Sequence, residues 1–205
     1  KIAEKEIGYF QKTTKKDISA LQVYNLGQDA TLEQFQAFYD KRSTARQQMV
    51  SQAIERRILV QDMITDEEWD SIILNGVTRV NELNEKYLKK EAKGNVNDAI
   101  ENLRITIEDV VENEVNRDEA MSASQEFRSI YQALDSAFKA QRTLQNEIVK
   151  NKYSTKEQLQ QIANEQVELR KRAYDELVKF HFRMLQVLNE KEWFPVMKSF
   201  NRILG

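Results

Sequence analysis

Most of the residues in this chain that could hold a ligand are arginines. Arg46 and Arg170 stand 124 positions apart, each on the apolar stripe of a long amphipathic segment. A guanidinium on such a seam can reach its head to water or pair with a carboxylate from a neighbouring helix. It can also face a groove and hold an anionic or extended ligand. In that case Tyr39, Arg42, Arg56 and Arg57 edge the groove from one segment, with Arg172, His181 and Arg183 on the other. His181 is the single histidine, it sits between Phe180 and Phe182, and there is no cysteine. A zinc site or a nucleophile–base pair needs partners that this composition does not supply, and a lone histidine on a packed helix reads first as structural. The acidic run Glu108, Asp109, Glu112, Glu114, Asp118, Glu119 lacks the spacing of a calcium loop and reads as a solvated helix face. No glycine-rich phosphate loop and no Ser–His–Asp set is present. The expectation is a non-enzymatic protein with no catalytic residue, no metal and no cofactor.

These arginines sit inside an internal repeat. Residues 31–69 and 155–193 align without a gap, with identities at Thr31/Thr155, Glu33/Glu157, Gln34/Gln158, Gln36/Gln160, Arg46/Arg170, Glu68/Glu192 and Trp69/Trp193. Apolar character also matches at Phe35/Leu159, Ile54/Val178, Ile58/Phe182 and Ile64/Leu188. Such self-similarity predicts two similar helical repeats related by a pseudo-twofold axis. The repeats span 1–81 and 125–205, joined by an acidic helical crossover over 82–124, as one compact unit.

Helix starts are explicit. Thr31…Gln34, Thr65…Glu68 and Thr155…Gln158 have the spacing of a capping box, and Asn189…Glu192 is a close variant. Ile64 with Trp69, and Leu188 with Trp193, add the spacing of a hydrophobic staple, so each tryptophan is expected to pin a corner between two helices. From Thr31 the heptad-like stripe is Leu32, Phe35, Tyr39, Arg42, Arg46, Met49, Ala53, Arg56, Val60, Met63; in the copy it is Leu159, Ala163, Gln166, Arg170, Ala173, Leu177, Phe180, Met184, Val187. Further helices are expected over 2–26, from Thr65 toward Ala92 with a break at Gly94-Asn95, along Val96–Val115, and over 118–151. Pro195 lies beyond the first turn of its helix and predicts a kink or restart. No strand survives this reading, and the expected fold is an all-α bundle of long antiparallel helices.

Five glycines, one proline and 31% charged residues fit long solvent-laced helices. Residues 66–116 carry thirteen Asp/Glu against six Lys/Arg, a net of −7 within an overall −2. That balance argues against nucleic acid as a partner. No apolar run is long enough to span a membrane. The start at Lys1 leaves room for a processed leader, and the lack of cysteine leans toward an exported, periplasmic protein.

The stretches Arg57-Ile-Leu-Val-Gln-Asp-Met-Ile-Thr-Asp-Glu-Glu68-Trp69 and Phe182-Arg-Met-Leu-Gln-Val-Leu-Asn-Glu-Lys-Glu192-Trp193 resemble the Leu-Thr-x-x-Gln helix starts of Spy/CpxP-type periplasmic proteins. Thr31-Leu-Glu-Gln34 and Thr155-Lys-Glu-Gln158 add partial matches. The resemblance implies an all-helical cradle and an ATP-independent chaperone or envelope-stress regulator with a protein or peptide partner. A chain with two repeats would be a single-chain version of that dimer. Expected instead, if this resemblance is set aside, is a ligand-sensing bundle of a membrane receptor or a helical scaffold.

Overall fold

The computed structural model describes residues 16–76 and 96–203. They form seven helices and no strand: α1 over 16–26, α2 (Leu32–Gln61), α3 over 66–76, α4 (Val96–Val110), α5 (Glu114–Lys150), α6 (Lys156–Val187) and α7 (Glu190–Asn201). The expected helix over 2–15, the continuation of α3 past residue 76 and the break at Gly94-Asn95 lie outside the described residues. No described helix is long and apolar enough to cross a membrane.

The helix starts follow from local chemistry. At Thr31, Thr65 and Thr155 the hydroxyl accepts the N–H three residues on, at 3.2–3.3 Å, and that residue's side chain accepts the threonine N–H at 2.9 Å. Asn189 and Glu192 close the same reciprocal box on α7. Each box satisfies two backbone donors that a helix start otherwise leaves to solvent. α5 begins at Glu114, four residues earlier than expected, because Asn113 Oδ1 accepts the Asn116 N–H and caps it.

The chain divides into two compact units. Of the described residues, unit 1 takes 16–38, 96–128 and 177–203; unit 2 takes 39–76 and 129–176. Helices α2, α5 and α6 contribute to both, and each unit draws on both sequence repeats. In unit 1, α4 packs against α7. Phe35, Leu103, Ile107, Met184, Val196, Met197 and Phe200 fill its core, with Phe127, Phe180 and Phe200 in mutual ring contact. In unit 2, the short turn at 151–155 folds α6 back along α5, and the bonds Gln141–Glu165 and Gln145–Gln166 tie the two helices together.

Three expectations need correction. The α2 stripe begins on an exposed Leu32 and does not run on through Ala53, Arg56, Val60 and Met63, since Met63 is 81% exposed; burial passes instead to Ile54, Arg57, Ile58 and Gln61. A strict 3.5-residue spacing drifts about 20° per heptad around a straight helix, so the buried face moves one residue along. Val115 lies on α5, beyond the end of α4, and is exposed. Pro195 breaks nothing: α7 runs unbroken from Glu190 to Asn201. The carbonyl deprived of its donor belongs to the exposed Lys191, where water can serve it.

Candidate ligand-binding cleft

Two corners are built by one local plan. In unit 2 the Trp69 indole N–H donates to the Lys150 carbonyl, the last of α5, at 2.7 Å. The Arg57 guanidinium lies 4.7 Å over the Trp69 ring and donates to the carbonyls of Val149 and Asn151 at 2.7 and 2.8 Å. It thereby serves carbonyls that the end of α5 leaves open. In unit 1 the Trp193 indole donates to the Leu26 carbonyl, the last of α1, at 2.7 Å. The His181 ring stands edge-on to Trp193 at 5.2 Å. Adding 124 carries Leu26 to Lys150, Arg57 to His181 and Trp69 to Trp193. The two tryptophans therefore hold the end of a helix distant in sequence.

His181 is fully buried, and its tautomer follows from a directional chain. The Gln22 carbonyl accepts from Asn201 Nδ2, Asn201 Oδ1 accepts from Asn25 Nδ2, and Asn25 Oδ1 faces His181 Nδ1 at 3.1 Å. Only Nδ1–H fits that order. Nε2 is then a bare acceptor with no hydrogen-bond partner among the described residues. Burial lowers the imidazole pKa to about 4, against the opposing pull of Asn25.

Unit 2 also holds a cleft of about 290 Å³ between α2, α5 and α6. Its apolar wall includes Val50, Ile54, Val149, Leu159, Ile162 and Val167, and its polar groups include Arg46, Arg57, Arg170, Gln145 and Gln166. Among the described residues no carboxylate lines it. Burial lowers the pKa of Arg170 and of Arg57. That of Arg46 falls to about 10, first through burial and then through the like charges of Arg170 and Arg42. Arg170 donates to Gln166 Oε1 at 2.7 Å and has no carboxylate partner among the described residues. Gln166 Nε2 in turn donates to Gln145 Oε1 at 2.6 Å. A guanidinium can only donate, so it turns the Gln166 oxygen toward itself and fixes both amides. The chain ends on Gln145 Nε2, a buried donor with no acceptor among the described residues, as is Arg57 Nε.

The arginines singled out in the sequence thus part company. Arg46, Arg57 and Arg170 share the cleft, and Arg42 stands near enough to Arg46 to lower its pKa. The Tyr39 hydroxyl donates to the Val167 carbonyl, and its ring lies tilted against Tyr174, on the same two helices. Arg56 and Arg172 are exposed and do not line the cleft. His181 and Arg183 do not edge it either: His181 is enclosed in the unit 1 core, and Arg183 pairs with Glu119 and Glu126. The sequence reading missed Gln145, whose side chain matters only through Gln166, and the distant carbonyls that the tryptophans serve. The 124-residue offset could have flagged Arg57 and His181 as equivalent, but their types differ. Among the described residues no cluster of His, Asp and Glu could hold a metal ion.

Compared with known proteins, the chain matches no family model, no curated protein and no solved structure.

Proposed function

We propose that this chain is a non-enzymatic helical binding module and that the arginine-edged cleft of unit 2 is its ligand site. One observation carries the reading: Arg170, half-buried, finds no carboxylate partner among the described residues, and its repeat equivalent Arg46 brings a like charge to the same mostly apolar cleft. Like charges drawn out of water oppose folding unless an anion joins them, and perturbed groups gathered in a cleft mark a candidate functional site. The same twin placement supports two repeats related by a pseudo-twofold axis, as do the matched corners at Trp69 and Trp193.

Within this proposal the module acts outside the cytoplasm as a chaperone-like or envelope-stress protein of the Spy/CpxP type, engaging a protein or peptide partner. A ligand-sensing bundle of a membrane receptor is the second reading, and the modest size of the cleft favours it.

The test is the double exchange Arg46→Gln/Arg170→Gln. It should abolish binding, read as suppression of aggregation of an unfolded test protein or as ligand-induced stabilisation. The melting temperature should hold or rise, because a repulsion is removed. A large fall in melting temperature would make the arginines structural and end the proposal.

A further inference from the structure

We propose that the cleft binds a small apolar monocarboxylate of the medium-chain alkanoate kind, its head between Arg46 and Arg170 and its chain along the wall of Val50, Ile54, Ile162 and Val167. The assignment rests on the binding-module reading in its second, ligand-sensing form and adds the ligand's chemistry. Three features of the cleft define that chemistry.

The first is sign. Three guanidiniums reach the cleft, and among the described residues no carboxylate does. The second is hydrogen-bond polarity. The buried atoms of the cleft that lack a partner, Gln145 Nε2 and Arg57 Nε, are both donors, and the Arg170–Gln166–Gln145 chain forces the first of them to be one. The site therefore asks for an acceptor, and a carboxylate offers two oxygens with about four lone-pair sites while donating nothing. Burial lowers the pKa of both guanidiniums, and for Arg46 the charge of Arg170 adds to it; a bound anion opposes both effects.

The third is the wall. It is mostly apolar, and it is made of helices whose backbone groups are bonded internally. An extended peptide carries one N–H and one C=O per residue and would desolvate them against faces with little to offer in return. An alkyl chain carries neither. At about 290 Å³ the cleft stands at the lower edge of the roughly 300–1,000 Å³ typical of small-molecule sites, which sets the ligand at medium length.

The experiment is isothermal titration of the whole chain with decanoate below its micelle-forming concentration. Acetate, decyltrimethylammonium and an apolar peptide with a free C-terminus serve as comparisons. Decanoate should bind at one site, while acetate and decyltrimethylammonium should not. Arg170→Gln should weaken decanoate about tenfold or more, the value of a charged hydrogen bond. Ala163→Phe fills the cleft without touching a charge and should block decanoate, with helicity by circular dichroism unchanged. Equal binding of decanoate and decyltrimethylammonium, or decanoate binding unaffected by both exchanges, overturns the proposal. If the peptide binds and decanoate does not, the ligand class falls and the binding module stands. If nothing binds and aggregation of an unfolded protein is not suppressed, both fall.

Discussion

His181 is kept neutral by where it is, and that makes stability depend on pH. Its ring touches Phe35, Phe182 and Trp193, with Asn25 on Nδ1 and no acceptor for a second N–H. The folded pKa of about 4 lies below the ordinary 6.5, so between those values the unfolded chain binds more protons. Stability is fully present above pH 6.5 and is lost as pH falls toward 4. Urea unfolding from pH 6.5 to 5, above most carboxylate titration, should show the decline. In His181→Asn the profile over that window should be flat; a slope as steep as that of the unchanged chain would assign it to other groups. The tryptophans give a second residue-scale expectation. Each is nearly buried and donates to a distant helix end. Trp69→Ala or Trp193→Ala should each cost roughly 3–5 kcal/mol in denaturant unfolding. A loss under about 1 kcal/mol would mean that the corner repacks without its indole.

At the scale of elements, what the sequence revealed and what it hid divide by range. The four capping boxes were legible because both halves of each lie three residues apart. Thr155→Ala should remove about 1 kcal/mol by urea unfolding, the usual value of such a cap. The α6 stripe was legible too, with Leu159, Leu177, Phe180 and Met184 all buried as its spacing predicts. The α2 stripe failed past Met49 because a spacing pattern alone cannot say whether a helix supercoils or stays straight. Pro195 was misjudged for a related reason: cost depends on whether the orphaned carbonyl meets water, and that is a matter of orientation. Since α7 continues through it, Pro195→Ala should stabilise by about 1–3 kcal/mol, with circular dichroism at least as helical as before. Of the candidate site, the twin arginines could be read from the repeat. Gln145 could not, because its only claim is a bond to Gln166 on another helix.

At the scale of the whole molecule, α2, α5 and α6 pass through both units, yet each unit has its own core and its own tryptophan corner. Local opening should therefore be separable. In Trp69→Ala, amide hydrogen exchange should accelerate first over residues 129–150 and 156–176, while α4 and α7 keep their protection. Equal acceleration everywhere would show that the units open as one.

The crossed tryptophans have a consequence for how the chain can be divided. Cut in the exposed turn at Glu112-Asn113, it would give one piece with Trp69 and Leu26 and another with Trp193 and Lys150. Each piece would hold a donor whose acceptor is on the other, so neither could close a corner alone. Folding would become a bimolecular reaction. Two inert fragments would regain helical signal only on mixing.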